Sequence, residues 1–142
     1  MAIAVIVLAI AALLIVSSRP VAAAKVDIGI DLSQQQMRVS VLSRPAYRWP
    51  VSTARRGYRT PTGTFHPIRL ERTWYSTIYH HAPMLFSIFF HGGYAFHGTN
   101  ETGRLGRPVS HGWVRLHPSN ARALFDLVLR YGPANTRITI AR

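Results

Sequence analysis

The chain has 142 residues, too few for two ordinary domains and enough for one with a real core. Apolar residues make up 48% and charged residues 15%, which excludes an intrinsically disordered protein. Seventeen Lys and Arg against five Asp and Glu give a formal net charge of +12, which favours anionic partners, and the lack of cysteine excludes disulfides, zinc–thiolate sites and any thiol nucleophile from within the chain.

The first element is an uncharged apolar run over residues 2–16, shorter than the roughly 20 residues of a bilayer-spanning helix. Ser17-Ser18-Arg19-Pro20 and then Ala22-Ala23-Ala24 follow, a small-x-small pattern that suits cleavage before Lys25. Residues 1–24 therefore read as an export signal, with only the Met1 amino group supplying positive charge ahead of the apolar run. An uncleaved anchor is the alternative, and either places the domain of residues 25–142 in the periplasm or on the outer face of the inner membrane.

From Lys25 the pattern changes to short strands. Val26 to Asp31 and Met37 to Val41 alternate apolar with polar residues, as two half-buried antiparallel strands do, with a polar turn over Ser33 to Gln36. A further strand is expected at Trp49 to Ser52, before a breaker-rich run from Arg56 to Gly63. Met84 to Phe90 and Tyr94 to Gly98 flank His91-Gly92-Gly93, the signature of a hairpin. One helix is predicted, starting at Pro118-Ser119-Asn120, carrying Leu124, Leu127, Val128 and Tyr131 at helical spacing and stopping at Gly132-Pro133. Arg137 to Ile140 closes the chain as a strand, so the reading is a mostly β domain with one packed C-terminal helix.

The run from Phe96 to Val128 carries the chemistry. His97-Gly98-Thr99, then Ser110-His111-Gly112 and Val114-Arg115 resemble the signature of YkuD-type L,D-transpeptidases, in which a histidine and a small residue precede, after a loop, the string S-H-G-C. Thr60-Pro61-Thr62-Gly63-Thr64-Phe65 is similar to that family's upstream T-P-x-G-x-F/Y element. The resemblance implies a YkuD-like β-sandwich and acyl transfer on peptidoglycan stem peptides in cell-wall cross-linking, with no cofactor and no metal. It also implies that the nucleophile position, where a cysteine is expected, is Trp113 here.

Carried over residue by residue, the resemblance makes His97 the base that would ionise a thiol and His111 the residue that orients the loop. Backbone N–H groups around Gly112 and Trp113 would face an oxyanion. Ser110, Gly112 and Arg115 fall on the substrate side, Arg115 offering a planar fork to a carboxylate. An indole has no nucleophilic atom, so the family's thioester cannot form at Trp113. Substitution of the thiol by the hydroxyl of Ser110 or Thr99 is disfavoured, because both fall at family positions whose side chains point elsewhere.

Three readings follow. One is a pseudoenzyme that keeps stem-peptide or glycan contacts. Another is an otherwise complete L,D-transpeptidase with a lesion at residue 113. The third is a basic module that binds anionic envelope polymers or a membrane surface. Nucleic acid is disfavoured: all the cations but Lys25 are arginines, only Arg55 and Arg56 are adjacent, and no basic helix or finger gathers them. His80, His81, His91 and His117 lack an acidic companion and any helix-face spacing, so a metal site is disfavoured as well.

Overall fold

The structure is a computed structural model and describes residues 22–142. The export segment expected over residues 1–24 lies outside the described residues except for Ala22, Ala23 and Ala24; among the described residues, no helix is long and apolar enough to cross a membrane.

Among the described residues, nine strands form two sheets, and one α-helix packs against them. The first sheet holds β1 (Val26–Asp31), β2 (Gln36–Val41), β3 (Arg44–Pro50), β4 (Gly63–Phe65) and β9 (Thr136–Ala141) in the order β3-β2-β1-β9-β4. The second holds β5 (Arg69–Tyr75), β6 (Pro83–His91), β7 (Tyr94–Gly98) and β8 (Val114–Leu116) in chain order. The alternation read in β1 is the observed burial: Val26, Ile28 and Ile30 are inside and Asp27, Gly29 and Asp31 face outward. Ile138 and Ile140 of β9 pair in parallel register with Ile28 and Ile30. With Met37, Val39, Phe96, Leu116 and the helix they make one continuous core.

Helix α1 (Pro118–Tyr131) buries Ala121, Leu124, Phe125 and Val128. Its start differs from the expected cap: His117 is the N-cap, and its Nδ1 accepts from the Ser119 backbone N–H at 3.2 Å. The helix crosses β7 at Gly98, where a Cβ would come within 3.1 Å of the Pro118 backbone, so a side chain there would push the helix off the sheet. The hairpin between β6 and β7 turns at Gly92, with φ +51°, as the paired glycines imply.

The strand expected at Trp49 to Ser52 is displaced. The observed β3 begins at Arg44 and ends at Pro50, after which the chain leaves the sheet and Ser52 exchanges backbone hydrogen bonds with Arg115. Trp49 is the only inward-facing residue of β3, so most of this edge strand has no apolar pattern to betray it. Strands β4, β5 and β8 are likewise additions to the sequence reading.

Candidate functional site

Three loops meet where the chain enters β8. The first is the Thr53–Thr60 segment, the second the Ser110–Gly112 turn, and the third the reversal from Ser76 to Ala82 between β5 and β6. The turn is fixed from every side. Ser110 N–H donates to the Thr53 carbonyl at 2.9 Å, and its own carbonyl accepts from Arg55 N–H at 2.9 Å. The buried Ser110 hydroxyl donates to the Trp113 carbonyl at 2.6 Å and accepts from Gly112 N–H at 3.0 Å. Gly112 holds φ +131°, and a Cβ on it would lie 2.7 Å from the Arg59 carbonyl and 2.8 Å from the Tyr94 ring. Only glycine fits there.

The upstream threonine explains its place in the motif. Thr60, 5% exposed, donates its hydroxyl to the Gly112 carbonyl at 2.8 Å and accepts from Ala54 N–H at 3.0 Å. Two chain segments 52 residues apart are thereby pinned by one oxygen. Gln35, at the β1–β2 turn, secures the other flank: it accepts from Thr53 N–H at 2.9 Å and donates to the Thr53 hydroxyl at 2.6 Å.

His97 sits on β7, buried to 5% exposure, with Nδ1 at 2.8 Å from the Gly98 carbonyl. A carbonyl only accepts, so Nδ1 carries the proton and Nε2 holds the lone pair that a base requires. Burial, above all, holds its pKa at about 4, against the Gly98 hydrogen bond and with Arg115 assisting. The ring is thus neutral at neutral pH. Trp113 meets it edge-on, with ring centroids 5.5 Å apart, and meets Phe89 in the same way at 5.5 Å on its other side.

Trp113 consequently stands as a wall between two lobes of one cleft, of ≈ 280 and ≈ 330 Å³, both of which also reach Ser76, Tyr79 and His111. Neither lobe alone greatly exceeds the small end of ligand pockets, about 300 Å³. The first is polar and contains His97, Thr99, Glu101, Ser110 and Arg115. The second is aromatic, with Trp74, Phe89 and Tyr94, and the Arg69 guanidinium lies 4.6 and 4.1 Å from the Trp74 and Phe89 ring centres.

All six residues singled out in the sequence come together here. His97, Ser110, His111, Trp113 and Arg115 line the polar lobe, and Gly112 shapes the turn beneath it. Three of them already have partners within the chain. Gly112 N–H is spent on Ser110, so it is not an oxyanion donor in this structure. His111 is stacked on Tyr79 at 4.4 Å and edge-on to Tyr58 at 4.7 Å, and desolvation, then Arg55 and Arg115, lower its pKa. Its environment ties it to the covering loop. Arg115 already pairs with Glu101 through Nη1 at 3.3 Å, a carboxylate it shares with Arg104. The hydroxyl of Thr99 accepts from Glu101 N–H at 3.1 Å, so like that of Ser110 it serves the local backbone.

Sequence reasoning missed Ser76, Tyr79 and Glu101. The Ser76 hydroxyl caps the covering loop by accepting from Ile78 N–H at 3.2 Å and Tyr79 N–H at 2.8 Å. A serine three residues before a tyrosine carries no signal strong enough to find it. Among the described residues no three His, Asp or Glu side chains converge on a point where a metal could sit.

Comparison with known proteins gives a consistent result. The profile of the YkuD family, described as the L,D-transpeptidase catalytic domain, matches residues 25–140. The L,D-transpeptidase YkuD of Bacillus subtilis (strain 168) is 27% identical over 123 residues, which is 81% of this chain and 65% of that protein. An L,D-transpeptidase from Mycobacterium smegmatis superposes with a TM-score of 0.75 at 23% identity, covering 84% of this chain and 59% of the other. LD transpeptidase LdtMt1, solved in complex with imipenem, superposes at 0.74 with 21% identity, covering 83% and 59%. The structural likenesses establish the fold. The chain spans slightly under two thirds of the Bacillus protein and about three fifths of the other two.

Proposed function

This chain belongs to the YkuD family of L,D-transpeptidase catalytic domains, and on that premise we propose that it is an exported domain that engages peptidoglycan stem peptides without forming a covalent intermediate. The observation that carries the reading is the pairing of a complete frame with a missing nucleophile. His97, the Ser110–Gly112 turn and Arg115 surround a cleft, the chain has no cysteine, and the wall beside His97 is an indole. A base without an ionisable partner in reach cannot start acyl transfer, whereas His97 Nε2 and the Arg115 guanidinium remain able to hold a peptide.

In this reading the stem peptide lies in the polar lobe. Its carboxylate competes with Glu101 for Arg115, an exchange made inexpensive because the Glu101 side chain is 54% exposed and its ion pair weak. Trp113 and Tyr79 bound the peptide on the aromatic side. Calorimetric titration with a tetrapeptide stem tests this. Saturable binding with no release of the terminal D-Ala, weakened about tenfold or more by Arg115→Ala, is expected. Release of D-Ala by the unaltered chain would overturn it.

A second reading has one specific observation behind it. Arg38 of β2 and Arg48 of β3 stand directly opposite one another in the sheet register, a like-charge pair that weakens the sheet and is offset in the chain by Asp31, which lies in the field of Arg38. An anionic envelope polymer on this outer face would bind in a strongly salt-dependent way and would be indifferent to Arg115→Ala. The two readings are therefore separable in one titration series.

A further inference from the structure

We infer that the cavity bounded by the Thr53–Thr60 segment, the β1–β2 turn and Arg142 is a binding site for a small phosphate monoester. The cavity shares no lining residue with either lobe of the cleft, and the inference does not depend on what the cleft binds.

The cavity measures ≈ 470 Å³, more than either lobe, and lies within the span of small-molecule pockets, about 300–1,000 Å³. One wall is the segment that fixes the Ser110–Gly112 turn. Thr53 and Thr60 are buried and line the cavity, and each also holds that turn. Thr53 does so through its carbonyl, which accepts from Ser110 N–H, and Thr60 through its hydroxyl, which donates to the Gly112 carbonyl.

The hydrogen bonds at Thr53 define what is missing. Thr53 N–H donates to Gln35 Oε1 at 2.9 Å, which fixes the orientation of the Gln35 amide and makes Nε2 its donor end. Nε2 has two protons. One goes to the Leu32 carbonyl at 2.8 Å and the other to Thr53 Oγ1 at 2.6 Å. Thr53 Oγ1 is therefore an acceptor toward Gln35, and its own proton is left over. No hydrogen bond among the described residues takes that proton, although Thr53 is only 3% exposed. A buried hydroxyl proton without an acceptor costs free energy that a ligand oxygen would recover. Thr60 has no proton to spare, since its own goes to Gly112.

Charge narrows the class of ligand. Arg59 and Arg142 line the cavity, no Asp or Glu does, and neither guanidinium has an ion-pair partner among the described residues. Many arginines of this basic chain are exposed; these two share a concave site with a buried, unused donor. A phosphate monoester presents three terminal oxygens and nearly two negative charges at neutral pH, so one oxygen can turn to Thr53 while the others face the guanidiniums. A carboxylate has two oxygens in one plane and a single charge, and it cannot serve both. Leu32, Ala54 and Pro108 line part of what remains and give a short organic portion an apolar seat.

Calorimetric titration of the full chain in a neutral detergent, at fixed ionic strength, tests the assignment. The probes are glycerol 3-phosphate, a monoester; glycerophosphoglycerol, a diester; and acetate, a carboxylate. One site should saturate with glycerol 3-phosphate, at least about tenfold tighter than with the other two. Arg59→Gln and Arg142→Gln, both at exposed positions, should each weaken binding about tenfold. Thr53→Ser should bind like the unaltered chain, Thr53→Val about tenfold more weakly, and Arg115→Ala in the cleft should change nothing. In amide spectra of the same titration, Thr53 and Ala54 should shift, followed by Ser110 through its bond to Thr53. Affinity untouched by Arg59→Gln and Arg142→Gln, or shifts gathered around Arg38 and Arg48, would overturn the site. Equal binding of all three probes would reduce it to unselective attraction by a basic chain and overturn the monoester assignment. Thr53→Val binding as tightly as Thr53→Ser would overturn the part given to the buried proton.

Discussion

The Ser110–Gly112 turn and the Trp113 side chain that follows it are neighbours in sequence and unlike in physics. Every polar atom cited for the turn has a partner: Thr53, Arg55, Thr60 and Trp113 each bond to it, and Gly112 occupies a conformation and a space that admit no other residue. The Trp113 indole meets the rings of Phe89 and His97 edge-on and makes no side-chain hydrogen bond among those cited for the cleft. The difference teaches that the frame of this cleft is specified by backbone hydrogen bonding and does not depend on which side chain projects at residue 113. A reactive group can be exchanged for an inert one while the surrounding geometry persists.

The sharpest way to break this contrast is Gly112→Ala. The new Cβ would collide with the Arg59 carbonyl and the Tyr94 ring in a left-handed conformation, and a loss of about 3–5 kcal/mol, read from denaturant unfolding, is expected. A loss under 1 kcal/mol would mean that the turn is adaptable.

Acid should act through His97 on a comparable scale. Its pKa is about 4 in the folded chain and 6.5 when free, so between these values the unfolded state binds the proton that the folded state refuses. Stability is therefore undiminished above about pH 6.5 and falls as pH drops toward 4, by roughly 3 kcal/mol in total for 2.5 units at 1.36 kcal/mol each. Unfolding curves of the unaltered chain and His97→Gln across this range measure it. Parallel pH dependences would show that His97 is not the buried neutral group described.

Thr60→Val removes the oxygen shared by Gly112 and Ala54 while keeping the shape of the side chain. About 2 kcal/mol should be lost, since a carbonyl and an N–H are left without that partner. The smallest effect is expected for Trp113→Ala. The half-buried indole supports two ring contacts and no element of the core cluster, so about 1–2 kcal/mol should go while the two lobes merge into one. If Trp113→Ala proves more damaging than Thr60→Val, the frame depends on the indole and the contrast fails.

How much of this was legible in the sequence follows the same division. Strands β1, β2 and β9 and helix α1 announce themselves because their buried residues recur with period two or near four, and β6 and β7 because two apolar runs flank paired glycines. Strand β5 reads Arg-Leu-Glu-Arg-Thr-Trp-Tyr, with no fully buried position, and β3 has one, so neither carries an inside–outside pattern. Strands β4 and β8 are three residues each, too short for any period to show. The site residues were found because Thr60, His97 and Ser110–Arg115 stand in a recognisable order, even though they meet only after the chain folds. The local commitments of Gly112 N–H and the Ser110 hydroxyl were not visible, because a motif names residue types and not the partners their atoms choose. Tyr79, Ser76 and Glu101 enter the cleft from loops with no motif at all.

The most direct test of the central claim is intact-protein mass spectrometry of the unaltered chain and of Trp113→Cys after exposure to imipenem. The predicted result is an added mass of one inhibitor on the Trp113→Cys chain, where the new thiolate opens the β-lactam carbonyl, and none on the unaltered chain. No adduct on either would contradict a preserved frame, and an adduct on the unaltered chain would contradict the absence of a nucleophile from the cleft.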